Sequence, residues 1–133
     1  MRALLDANIL ISALQFGGNP LIALDAVNCG SVLGFTSSIA MQEVESILLR
    51  KFKSGPADWQ VISLILRESL TIIPTPHPRK VDGLRDIRDS HILEAALLCK
   101  ADYIVTGDKD LLVLTEYKGI EILSAGSFAK LLG

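Results

Sequence analysis

Short apolar runs alternate with helix-spaced apolar repeats along almost the whole chain, and this limits the fold more than any other feature. Residues 3–5 (Ala-Leu-Leu) end abruptly in Asp6-Ala7-Asn8, after which residues 9–14 resume at helical spacing. The Gly17-Gly18-Asn19-Pro20 cluster breaks that pattern, and Leu21, Leu24 and Val27 then predict a second helix up to Gly30. Residues 32–36 predict a second strand, and Ser37 or Ser38 is placed to cap a third helix carrying Ile39, Glu43, Ile47 and Leu48. Gly55 and Pro56 mark a turn before a helix over 58–69, and residues 70–73 form a third strand. Pro74, Pro76 and Pro78 forbid regular structure, so residues 74 to about 87 form an exposed loop. A helix over 90–100, a buried strand over 103–105, a corner at Thr106-Gly107-Asp108, a strand over 120–123 and a terminal helix from Ser124 complete the pattern. Strands alternating with helices require a parallel sheet covered on both faces and joined by right-handed crossovers. The expectation is an α/β fold, a three-layer α/β/α sandwich with a central parallel sheet.

Composition sets the scale of that fold. The chain has 133 residues, half of them apolar, with no internal repeat and no linker that divides it, so residues 1–133 are expected to form a single domain. Its net charge of -2 excludes a protein that coats nucleic acid through bulk charge. No apolar stretch reaches the roughly 18 to 20 residues of a membrane span, and Asp6 and Asn8 interrupt any signal-length segment. The expected location is therefore cytoplasmic, away from membranes. Cys29 and Cys99 are outside any Cys-x-x-Cys pair and read as buried reduced thiols.

Two of the predicted strands run into aspartate, at Leu4-Leu5-Asp6 and at Ile104-Val105-Thr106-Gly107-Asp108. In open parallel sheets ligands bind beyond the carboxyl ends of the strands, where the strand order reverses and opens a crevice. If those two strands are neighbours, Glu43 on the third helix and Asp89 before the fifth reach the same space. Four converging carboxylates raise one another's pKa values, and a divalent cation resolves the conflict. With hard oxygen donors and no histidine or cysteine at ligand spacing, Mg²⁺ or Mn²⁺ suits the site better than zinc. Such an ion could activate a water against a phosphodiester without a serine, cysteine or histidine nucleophile.

Nearly end to end, the sequence resembles the PIN domain family, including the VapC-type toxin ribonucleases of toxin-antitoxin pairs. The resemblance is carried by Leu-Leu-Asp-Ala-Asn at 4–8, Gln42-Glu43-Val44, Asp-Ser-His-Ile-Leu-Glu-Ala-Ala at 89–96, and Ala-Asp-Tyr-Ile-Val-Thr-Gly-Asp-Lys-Asp-Leu at 101–111. It implies that Asp6, Glu43, Asp89 and Asp108 match the family's acidic metal-binding positions, with Asn8 and Thr106 in support and Asp110 as an additional carboxylate. It further implies Mg²⁺- or Mn²⁺-dependent endoribonuclease activity on an RNA substrate, a cognate antitoxin protein covering the crevice, and a homodimer. Ala7 departs from the threonine or serine of many relatives, which removes one hydroxyl near Asp6.

Plainer readings stand beside each residue. Asp6 and Asn8 suit a helix cap, Asp89 suits another, and Asp108 and Asp110 suit a turn around Gly107. Glu43 on its own reads as a solvated helix residue, and only the resemblance selects it over Glu45. Joint occurrence favours the site, because four acids at one end of one sheet need several independent coincidences. His91, a lone histidine in a helix, reads as a packing or surface residue without a catalytic role. Arg79, Lys80, Arg85 and Arg88 are candidate contacts to an RNA backbone, with solvated charge as the plainer reading for each, as it is for Arg50, Lys51 and Lys53. Phe52 and Trp59 read as core or interface. The rival function is a non-catalytic module, either a degenerate PIN-like scaffold or a receiver-like domain with an acidic Mg²⁺ corner. A receiver, however, requires a lysine ending a late strand, and Lys109 follows Asp108 instead.

Overall fold

A computed structural model describes residues 1–51, 55–75 and 80–133. Its elements are β1 (Arg2–Leu5), α1 (Ala7–Gln15), α2 (Gly18–Asn28), β2 (Leu33–Ser37), α3 (Ser38–Lys51), α4 (Pro56–Ser69), β3 (Leu70–Ile73), α5 (Ser90–Leu98), β4 (Tyr103–Val105), α6 (Lys109–Leu112), β5 (Glu116–Tyr117), β6 (Ile120–Leu123) and α7 (Ala125–Leu132), with one 3-10 turn over Ile87–Asp89. They form a six-stranded sheet in the order β3-β2-β1-β4-β6-β5, parallel throughout except for β5 against β6. Helices cover both faces, since consecutive side chains of the central strands point to opposite sides and Ala3, Leu4, Leu5, Ile104 and Val105 are all fully buried. On the helical layers, α2 packs against α1 and α7, while α5 packs against β1, β2 and β4 and meets α3. At Gly34 helix and sheet approach too closely for a side chain: a Cβ there would lie 2.5 Å from a Val27 methyl of α2. The expected α/β sandwich is the observed one.

Several details differ from the sequence reading. Among the described residues, α6 and β5 are additional elements; both are too short to leave a periodic signal. The break at Gly17-Gly18 is real, both glycines having positive φ, but α2 begins within it, with Pro20 in its first turn where a missing N–H costs nothing. Cys99 is buried, whereas Cys29 is exposed at the end of α2, because the helix terminates at the surface before Gly30 turns the chain back. Trp59 packs partly buried on the core, as expected. Phe52, Lys53, Pro76, Pro78 and Arg79 lie outside the described residues. Among the described residues no single helix is long and apolar enough to cross a membrane.

Candidate acidic site

The chain moves from β1 to β2 to β3 in one direction, then returns to place β4 on the other side of β1. The topological switch point therefore falls between β1 and β4, the two strands that run into aspartate. Their register pairs Leu4 with Ile104 and Leu5 with Val105, so the next residues, Asp6 and Thr106, emerge side by side at the carboxyl edge. The Asp6 N–H closes this edge by donating to Val105 O at 3.0 Å.

Three donors fasten the Asp6 carboxylate. Its Oδ1 accepts from the Ala7 N–H at 2.7 Å, and its Oδ2 accepts from Thr106 Oγ1 at 2.7 Å and Asn8 Nδ2 at 3.3 Å. Thr106, fully buried, also accepts from the Asp108 N–H at 3.0 Å, while Asn8 Oδ1 accepts from the Gly107 N–H at 2.9 Å. Asn8 and Thr106 thus lace the two strand ends together. Asp6 is both the cap of α1 and a buried member of the crevice. Burial pushes its pKa up, opposed by the bonds from Thr106 and Ala7 and by His91, and assisted by the charge of Glu43.

Asp89, Asp108 and Asp110 form the tight part of the cluster, each half-buried and offering one carboxylate oxygen within 4.8 Å of the other two. Asp89 makes no capping bond to α5, so the plain cap does not account for it. Its pKa is pushed up to about 7, by burial first, then by a hydrogen bond with Asp108 and the charges of Asp108, Asp86 and Asp6. Asp108 does cap α6, accepting from the Asp110 N–H at 2.9 Å. That four-residue helix turns Asp110 back into the cluster, a more central place than its sequence position suggests. Three hard oxygen donors this close together, one of them with its pKa raised by burial and by the neighbouring Asp108, fit Mg²⁺ or Mn²⁺.

Glu43 lies outside that trio. Its carboxylate is 47% exposed and its Oε1 is 3.2 Å from Nε2 of His91. His91 is only 2% exposed and its Nδ1 lies 2.7 Å from the Ser37 hydroxyl, whose oxygen accepts the Ala40 N–H and caps α3. Sequence reasoning missed this role, and no local pattern links positions 37, 43 and 91. Of the basic candidates, Arg85 reaches Asp110 at 3.7 Å and remains largely exposed, whereas Lys80 is exposed beside Tyr117 and Lys118, near the amino end of β6 and away from the strand ends that carry the acids. Arg88 is engaged by Asp86, at 2.7 Å between Nη2 and Oδ2, and is thereby neutralised. Lys109 opens α6 rather than ending a strand, which removes the receiver-like arrangement.

Sheet order and strand-end acids together define an α/β domain with an acidic cluster at a switch point. A PIN domain family model matches residues 2–110, and the chain belongs to the PIN domain family. Among solved structures it is similar to PAE2754 from Pyrobaculum aerophilum, with 17% identity, a TM-score of 0.61, and 99% of this chain and 89% of that one covered. It is similar also to VapBC2 from Rickettsia felis, solved bound to a DNA fragment from their promoter, with 17% identity, a TM-score of 0.63, and 93% and 98% covered. No curated protein sequence matches the chain.

Proposed function

We propose that this protein is a Mg²⁺- or Mn²⁺-dependent endoribonuclease and the toxin member of a toxin-antitoxin pair. The observation that carries the reading is the trio of Asp89, Asp108 and Asp110 at the switch point of a PIN domain, with Asp6 fastened behind it. Asp6, Glu43, Asp89 and Asp108 would hold the ion, with Asp110 as a further ligand and Asn8 and Thr106 keeping the two strand ends aligned. A bound ion supplies a water of lowered pKa and positive charge beside the phosphate. Arg85 provides positive charge beside the acids for the RNA backbone; Arg88 contributes less because Asp86 already pairs with it. The reading makes the protein cytoplasmic, with an antitoxin seated over the crevice. The exposed Val61, Leu64 and Ile65 on α4 offer apolar surface for a homodimer.

The test is cleavage of a fluorescent single-stranded RNA pool, beside a DNA pool of the same sequence, with Mn²⁺ and with chelator. Metal-dependent RNA cleavage that falls at least about 100-fold in folded Asp6→Asn and Asp108→Asn is expected. Cleavage unchanged in both variants, or insensitive to chelator, overturns the reading. Binding of RNA without cleavage under every metal condition favours the non-catalytic scaffold.

A further inference from the structure

The acid on α3 is the least constrained member of the crevice by its own element. Glu43 lies on an exposed stretch of helix with a long side chain that has several rotamers open to it. Glu45 is two residues further on, about 200° around the helix, and lines a separate cleft with Met41, Trp59 and Arg67. Nothing in α3 itself holds the Glu43 carboxylate toward Asp6. What does so comes from α5.

We propose that His91 is the positioning residue for Glu43, a buried imidazole that fixes the carboxylate in the crevice through Nε2 while Ser37 fixes the ring through Nδ1. The proposal deepens the metal-dependent reading above and rests on it only for what the positioning serves. Ser37 Oγ accepts the Ala40 N–H, so its own proton is available to Nδ1. That bond leaves Nε2–H to donate to Glu43 Oε1. Both ring nitrogens are then satisfied, the ring cannot flip without losing both bonds, and the exposed acid is tied to a buried frame. The frame is rigid because α5 packs on β1, β2 and β4, the strands that carry the rest of the site. The same ring links the start of α3 to its second turn through α5, and the Glu43 charge is close enough to Asp6 to act on its carboxyl group. Carboxylates that bind metal need such outer support to keep their orientation.

The test pairs two readouts on His91→Leu, His91→Asn, His91→Gln and Glu43→Gln, each checked for folding by circular dichroism. Three-bond couplings of selectively labelled glutamate report the Glu43 rotamer in metal-free protein, and calorimetry with Mn²⁺ alone reports affinity. A single Glu43 rotamer is expected in the wild type and in His91→Gln, whose amide reaches the Nε2 position. Averaged rotamers are expected in His91→Leu and in His91→Asn, whose amide falls short, and the second variant serves if the first does not fold. Mn²⁺ affinity is expected to fall about tenfold in the loss variants, to recover in His91→Gln, and to be no weaker in His91→Leu/Glu43→Gln than in Glu43→Gln. Unchanged Glu43 couplings in a folded loss variant overturn the proposal, as does a full further loss of affinity on the Glu43→Gln background. If the wild type binds no Mn²⁺ yet Glu43 order follows His91 as expected, the positioning stands and the metal-dependent reading fails.

Discussion

Asp89→Asn is expected to stabilise the metal-free protein. Burial, the hydrogen bond with Asp108 and the charges of Asp108, Asp86 and Asp6 raise the Asp89 pKa from its ordinary 3.8 to about 7. The unfolded chain gives up this proton near 3.8, so between about pH 4 and 7 the folded state binds more protons, and stability falls as pH rises through that window. At about 1.4 kcal/mol per pH unit the ceiling on the loss is ~4 kcal/mol. Water reaches this half-buried rim and screens the repulsion, which leaves ~1–2 kcal/mol. An asparagine keeps a donor toward Asp108 without the charge, so the variant should recover that amount, about 4–8 °C in Tm for a domain of this size. Thermal melts followed by circular dichroism in chelator, at pH 5 and pH 8, check it. The gain should be larger at pH 8, and millimolar Mn²⁺ should reverse the order by stabilising the wild type alone. If folded Asp89→Asn melts below the wild type at pH 8 without metal, the repulsion argument is wrong.

Thr106→Val removes a buried hydroxyl that donates to Asp6 and accepts from the Asp108 N–H, so a loss of ~1–3 kcal/mol in urea unfolding is expected. Gly34→Ala should cost a similar ~1–3 kcal/mol by the same assay, because the added methyl overlaps Val27 and Leu70. Arg85→Ala should lower the salt dependence of RNA binding by about one phosphate contact. Arg88→Ala should leave that slope nearly unchanged, since Asp86 already holds its guanidinium, and equal slopes for the two variants would contradict this division.

Much of the fold was legible because strand and helix patterns are local. Leu-Leu-Asp and Ile-Val-Thr-Gly-Asp each show an apolar run meeting an acid, and Ser124 announces α7 by accepting from the Ser127 N–H. The short α6 and β5 carry too few residues for a period to register, and β5 exists only because β6 pairs with it. Arg88 looked like a free basic residue because sequence does not weigh a bidentate partner two positions away against solvent.

By itself the sequence determined which of the longer segments become strands and helices, and that acids stand at the ends of two strands. It also determined the hard-oxygen chemistry of the site, since these are properties of residue types and spacings of a few positions. Tertiary structure decided which acids meet. Asp6 and Thr106 are 100 residues apart and touch only because β4 returns beside β1 with Leu5 opposite Val105. Asp110 enters the tight trio because one turn of helix reverses it. Glu43 and His91 meet because α3 and α5 flank the same strand β2. Contacts between segments so far apart are set by strand order and crossover direction, which bury the most apolar surface at once, and no short window of sequence records that choice.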